Sequence, residues 1–326
     1  MRKLSFVFFL IIVSDIFSQQ LPQFTQFSNN ISLINNANFV NDESSANFGV
    51  RSQMLGFGLE PNTAFFFGNY LLQKKPKPNY NPHFRISRPI PVDSAKKSLF
   101  RHALSLIAQM DRYGAFGRTQ ISGVYSIGYK LKNDLDINGG LKVGYANLRF
   151  NQADAVVLNP LNPYSAYAGG DTEYDDYISV NPRVGNLDLG ASLLLTYKKF
   201  RLGVSADQLG ANVLTLHGSK SNFNSKVHAA LLLGYYFETE RKLKLEFFSL
   251  IKNMSPAPVS VDFSVRASLP NGIWFGANYR NQSSVGLMGG CMLKNSFRIG
   301  YSYDIITTKL NSFSNGGHEI LIGYVF

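Results

Sequence analysis

From about residue 46 to residue 326 the chain runs in segments of roughly ten residues that alternate apolar and polar positions and are bounded by turn-forming residues. A period of two puts successive side chains on opposite faces of an extended strand. In the clearest example Phe297, Ile299, Tyr301, Tyr303 and Ile305 share one face, while Arg298, Gly300, Ser302 and Asp304 share the other. The rule also separates Val261, Phe263, Val265 and Ala267 from Asp262, Ser264, Arg266 and Ser268. It separates Phe200, Leu202, Val204 and Ala206 from Arg201, Gly203, Ser205 and Asp207. An ionisable group every few residues on one face, with an apolar opposite face, fits strands that look toward a polar lumen on one side and lipid on the other, because a charge facing lipid at mid-depth costs about 2–4 kcal/mol.

The pattern predicts an all-β, transmembrane antiparallel barrel of about 14 strands, an even number as single-chain barrels require. The strand centres fall near residues 51, 67, 107, 124, 142, 191, 204, 231, 247, 263, 277, 289, 301 and 321. Tight turns at Lys132-Asn-Asp134, Lys198–Lys199, Glu238–Arg241, Pro270-Asn-Gly272 and Lys294-Asn-Ser296 then share one end, and the longer loops 151–179, 210–225 and 306–316 share the other. With both termini in the periplasm, all tight turns are expected on the periplasmic side and the longer loops outside. One periplasmic connection breaks this rule. Residues 73–100 are long and Pro-rich, which prevents strand pairing, and they read either as a plug or linker or as a docking segment. In the docking reading Lys74, Lys75, Lys77, Arg85 and Arg88 contact a periplasmic partner.

Composition agrees with a barrel. The chain is 45% hydrophobic and 16% charged with a mean hydropathy of −0.06, and beyond its first twenty residues it has no apolar run long enough for a helical span of about 20 residues. Residues 1–18 read as a secretory signal, with Arg2 and Lys3 before an apolar stretch from Leu4 to Val13. Residues 19–326 then form one barrel domain. The formal charge of +11 is spread over single and paired Lys and Arg without a basic stripe, so nucleic acid is not an expected partner. The lone Cys291 excludes an intrachain disulfide and reads as a packing residue. Arg201, Asp207, Asp262, Arg266, Arg298 and Asp304 are the candidate lumen charges, and Phe326 is a terminal aromatic of the kind that barrel assembly recognises.

Catalytic motifs are missing: no Gly-x-Ser-x-Gly, His-Glu-x-x-His, phosphate-binding loop or dinucleotide fingerprint occurs. The histidines at 83, 102, 217, 228 and 318 lack ligand spacing. Asp154, Asp171, Glu173, Asp175 and Asp176 make loop 151–179 acidic without any calcium-binding spacing. No cofactor and no enzymatic activity are expected. A hydrolase assembled from distant strands is the weakest alternative.

Several stretches resemble the PorP/SprF membrane proteins of the type IX secretion system of Bacteroidetes. They are Gln19-Gln-Leu-Pro-Gln-Phe-Thr-Gln-Phe27, Asn35-Asn-Ala-Asn38 (where that family has Asn-Pro-Ala), Arg51-Ser-Gln53, Asp111-Arg-Tyr-Gly-Ala-Phe-Gly-Arg-Thr119 and Lys199 through Leu209. The most specific are Arg298-Ile-Gly-Tyr-Ser-Tyr-Asp304 and Ser314 through Tyr324, before Phe326. The resemblance implies an outer-membrane component supporting secretion or surface attachment of a large adhesin-type cargo with a C-terminal sorting domain, and a peptidoglycan-associated periplasmic partner. A porin or a transporter of hydrophobic solutes is the alternative that the barrel pattern leaves open. His318 and Glu319 read as packing, turn or lumen groups.

Overall fold

The computed structural model describes residues 23–56, 60–72, 100–131, 134–155, 175, 183–210, 215–217, 226–240, 242–254, 257–294 and 296–326. Among them the strands are β1 (Ser45–Ser52), β2 (Asn62–Leu71), β3 (Phe100–Tyr113), β4 (Phe116–Lys130), β5 (Leu135–Phe150), β6 (Arg183–Tyr197), β7 (Phe200–Asp207), β8 (Thr215–His217), β9 (His228–Glu238), β10 (Lys244–Met254), β11 (Ala257–Ser268), β12 (Ile273–Arg280), β13 (Ser284–Leu293), β14 (Phe297–Ile306) and β15 (Gly317–Val325). All fourteen predicted centres fall inside a strand.

The strands make one closed antiparallel barrel. Apart from β8, every strand pairs with its chain neighbours, with β7 pairing with β9 across β8, and β1 pairs with β15. The three-residue β8 stands outside this ring of fourteen, on β6 at Gly185 and Asn186, just past Gly190, where the pairing of β7 ends. Closure pairs the ladder groups that an open sheet would leave bare, which lipid cannot satisfy.

Alternation survives in three dimensions as two surfaces. Leu104, Leu106, Leu141, Val143, Phe263, Val265, Ile320 and Ile322 face outward and are exposed, whereas Asn138, Asp188, Asp262, Ser302 and Glu319 face inward and are buried. Outward aromatics pair across strands where β3–β4 and β14–β15 begin and end: Phe100 with Tyr129, and Phe297 with Tyr324. Such rings suit the boundary between hydrocarbon and headgroups. Two outward histidines have tyrosine partners on the same surface, His102 with the Tyr125 hydroxyl at 2.8 Å and His318 with that of Tyr301 at 2.6 Å.

The ends of the barrel differ. The start of β1 and Phe326 lie at one, here the terminal end, and the end of β5, the start of β6, the end of β7 and the start of β9 lie at the other, here the loop end. The predicted tight turns do sit at the terminal end, but the expectation that all tight turns do so needs correction. At the loop end β3 is followed by β4, β10 by β11 and β12 by β13 after equally few residues, since adjacent antiparallel strands need only about two residues to reverse. Gly114 supplies the left-handed backbone at the first of these reversals, with φ +59°. At 14–16 residues, β3–β6 exceed the roughly 9–11 that cross a bilayer, so this part of the wall continues beyond the membrane.

The proposed signal at 1–18 lies outside the described residues, as do Lys74, Lys75, Lys77, Arg85 and Arg88. Of the excursion 73–100, Phe100 is the first residue of β3.

Candidate functional site

The lumen is filled by the chain's own N-terminal segment. Residues 23–42 carry Phe24, Phe27, Ile31, Phe39 and Val40 without strand periodicity, interleaved with six asparagines and no Lys or Arg. They fold as a turn, a four-residue helix α1 (Ile31–Ile34) and a 3₁₀ turn (Asn36–Asn41); most are buried, the rest are half-buried and none is exposed. Their partners surround them. Asn35 Nδ2 donates to the carbonyls of Leu193 and Val204 on β6 and β7, and Ser126 on β4 donates to the Asn36 carbonyl. Asn69 on β2 donates to the Phe39 carbonyl, Arg280 on β12 to the Phe24 carbonyl, and Gln26 to the Glu319 carbonyl on β15. A segment that touches β2, β4, β6, β7, β12 and β15 of a closed ring lies inside it.

Two kinds of interaction hold this plug. Its five large buried apolar side chains, with half-buried Leu33 and Ile34 beside them, pack with inward Phe65, Phe67, Ile107, Val124, Leu232, Phe248, Leu250 and Leu321, each buried one contributing on the order of 1.5–3 kcal/mol relative to water. The hydrogen bonds to the wall contribute about 1 kcal/mol each when neutral. Apolar burial therefore supplies most of the holding energy, and the polar contacts fix the register. The amides also satisfy plug and wall carbonyls that water cannot reach.

Hydrogen bonds to buried carboxylates lock one point of the plug. The Thr25 hydroxyl donates to Asp304 at 2.6 Å and its backbone N–H to Glu319 at 2.7 Å. Between these carboxylates stands Arg51, 2.6 Å from Asp304 and 4.0 Å from Glu319, with all three side chains almost fully buried. Beside them Asp262 binds Arg280 at 2.6 Å and Lys252 at 2.7 Å. On the opposite wall Lys142 joins Asp207 at 2.5 Å to Asp188 at 3.1 Å, where Gln120 and Ser122 also donate. Outside the strands, burial pushes the Asp42 carboxyl above its usual range, against the lowering effect of the Ser32 hydroxyl, Arg298, Arg201 and the Asn38 amide.

The structure places all six candidate lumen charges on the inner face and gives each a partner. Asp207, Asp262 and Asp304 belong to the clusters above. Arg266 contacts Glu246 and the plug's Asn29, Arg298 reaches Glu43 at 2.9 Å, and the Arg201 guanidinium lies 4.4 Å from the Tyr236 ring centroid. Phe326 is outward and exposed, and its N–H donates to the Ser44 carbonyl at 3.0 Å. In the acidic loop Asp154 pairs with Arg112 at 2.7 Å. Among the described residues no cluster of three His, Cys, Asp or Glu is placed to hold a metal. Glu319 is the lumen group that one of its sequence readings expects, but Arg51, the centre of the clamp, enters the sequence reading only as a piece of the family pattern. The signal that marks them as a pair, β1 beside β15 with Arg51 opposite Glu319, exists only once the barrel is closed.

The wall is shaped to the plug. A Cβ at Gly140 would fall 2.5 Å from the Ala37 nitrogen and 2.7 Å from the Asn36 carbonyl carbon, and one at Gly286 would fall 2.4 Å from Thr25 Cγ2. Backbone cannot swing aside as a side-chain tip does, so Gly140→Ala is expected to push the 3₁₀ turn off the wall at a cost of about 1–3 kcal/mol. Chemical unfolding in detergent would show it, with Gly123→Ala, whose added methyl meets only a carbonyl at 3.9 Å, as the control. Equal stability of the two variants would mean the plug does not sit against β5.

The plug divides the remaining space. Toward the loop end a cavity of about 110 Å³ lies against Gln23, Phe24, Leu33 and Ile34. Toward the terminal end a larger one of about 620 Å³ lies against Ser28, Asn29, Asn38 and Asp42.

No curated protein matches the sequence. Solved structures similar in fold include the toluene transporter TbuX of Ralstonia pickettii (TM-score 0.47, 10% identity, 90% of this chain and 92% of that one). Also similar is the outer membrane protein Omp33 of Acinetobacter baumannii (0.46, 8%, 87% and 99%), as is the P. putida toluene transporter TodX (0.44, 11%, 90% and 92%). The sequence profile described as "Type IX secretion system membrane protein PorP/SprF" matches residues 16–324.

Proposed function

The chain belongs to the PorP/SprF family of type IX secretion system membrane proteins, and from that premise we propose that it supports secretion or surface attachment of a large adhesin-type cargo with a C-terminal sorting domain. As a closed barrel in this family it is an outer-membrane component of type IX secretion. In our reading the terminal end and Phe326 face the periplasm, where a peptidoglycan-associated component meets the barrel, and gliding adhesins of Bacteroidetes are the cargo class. The role is one of binding and holding, without catalysis.

The plugged lumen is the observation that carries this reading. A porin needs a continuous aqueous path and a hydrophobic-solute transporter an apolar one. Here Phe24, Phe27 and Phe39 and the Arg51–Asp304–Glu319 cluster occupy the axis. A barrel with a sealed centre and a lipid-compatible outside offers its two ends as working surfaces.

Purification of the tagged chain from its native membrane in mild detergent tests the proposal. Mass spectrometry is expected to find a large secreted protein with a C-terminal sorting domain, together with a periplasmic anchoring protein. Deleting the chain is expected to leave that cargo unsecreted or shed into the medium. A barrel that repeatedly purifies alone, with cargo display intact in the deletion strain, would overturn the reading in favour of a channel.

A further inference from the structure

The vestibule at the terminal end carries more cations than carboxylates. Five cations line it, Arg201, Lys242, Lys244, Arg266 and Arg298, against three carboxylates, Asp42, Glu238 and Glu246. Two of the cations are compensated at once, Arg266 by Glu246 and Arg298 by Glu43. Arg201, Lys242 and Lys244 have no ion pair within 4.0 Å among the described residues. Arg201 lies over the Tyr236 ring, and its Nε is buried without a hydrogen-bond partner. Arg266 stands 5.9 Å from the ring of Trp274, which also lines the vestibule. At about 620 Å³ the space falls in the range of ordinary ligand sites.

The geometry points to a binding site here for an acidic polypeptide segment, entering along the barrel axis from the terminal end and placing carboxylates against Arg201, Lys242 and Lys244. Charge complementarity selects the sign of the guest. The aromatic faces beside the guanidiniums suit the apolar parts of a peptide side chain better than a bare inorganic anion. Position selects polypeptide over lipid. The vestibule opens among the turns that join β9 to β10 and β11 to β12, and the closed ring of strands separates it from the lipid-facing surface. The inference rests on the reading that protein partners meet the barrel at this end, and it specifies where and by what chemistry one of them is held.

Trp274 is the only tryptophan of the chain, so its emission reports on this site alone. The full-length barrel in a neutral detergent is titrated with a synthetic ten-residue peptide rich in Asp and Glu, with the same peptide carrying Lys at those positions, and with short-chain phosphatidylglycerol. The expected result is a saturable change with the acidic peptide only. It should weaken with added salt and fall at least roughly tenfold in affinity in the Arg201→Gln/Lys244→Gln double variant, whose folding is checked by heat-dependent gel mobility. No response of the native chain to the acidic peptide, or an equal response to the Lys peptide, would overturn the inference. A response to phosphatidylglycerol in place of the peptide would overturn it in favour of a lipid headgroup. Cargo display separates this result from the family role. Normal display by a double variant that no longer binds peptide would reject the vestibule as the partner's site and leave the secretion role intact, whereas normal display after deletion of the whole chain would reject that role.

Discussion

Excision of residues 23–42 is expected to turn a closed barrel into a conducting one. In planar bilayers the intact chain should give no steady current, because the plug places five large buried apolar side chains and the Thr25 clamp inside the lumen. Without it, Asn35 and Asn36 no longer bridge to β4, β6 and β7, and the inner face left behind is mostly polar: Ser105, Gln120, Ser122, Ser126, Asn138, Ser264 and Ser302 are all inward and buried. Water wets such a surface, so an open, ion-permeable pore is expected. The excised barrel should also lose stability, because Phe65, Phe67, Ile107 and Phe248 lose their packing partners, at about 1.5–3 kcal/mol for each large side chain returned to water. A steady open channel formed by the intact chain would sink the plugged-lumen argument, as would an excised barrel that stays closed.

The strands were legible because lipid enforces alternation. An outward charge costs several times the thermal energy, so the sequence from Phe297 to Ile306 records the two faces almost residue by residue. The same logic marked Arg201, Asp207, Asp262, Arg266, Arg298 and Asp304 as inward. Their partners were not legible. Asp304 meets Thr25 across 279 positions of sequence and Arg51 across 253, and no local period encodes such a pairing. The plug itself was hidden for a related reason. A segment buried in a lumen has no lipid face and no sheet partner, so its apolar residues follow neither period two nor 3.6. What residues 23–42 do display is a mixture of phenylalanine and asparagine without cations. That is the composition of chain that must bury hydrocarbon while feeding hydrogen bonds to carbonyls on every side. The stretches quoted for the family resemblance, Gln19 through Phe27 and Asn35 through Asn38, overlap the plug, so the resemblance marked a segment whose structural purpose the periodicity could not show.

Arg51→Met is the substitution with the largest expected cost. Arg51 is one of the three buried charges of this cluster, and deleting it leaves Asp304 and Glu319, diagonal to each other on neighbouring strands, without their shared cation and with the plug over them. Removing one member of a buried ionic group costs about 3–5 kcal/mol, because the charge left behind is desolvated and unpaired. Thr25→Val removes one hydroxyl donor to a carboxylate and should cost about 1.5–3 kcal/mol. The triple variant Arg51→Met/Asp304→Asn/Glu319→Gln removes every charge of the cluster and keeps amides able to accept from Thr25, so it should recover much of the loss despite carrying more changes. That non-additivity distinguishes a coupled clamp from three independent residues. Unfolding in denaturant, followed by Trp274 emission in detergent, measures all three variants. A loss below about 1 kcal/mol for Arg51→Met would mean that water reaches the cluster, as it does for exposed pairs, and that apolar packing alone holds the plug.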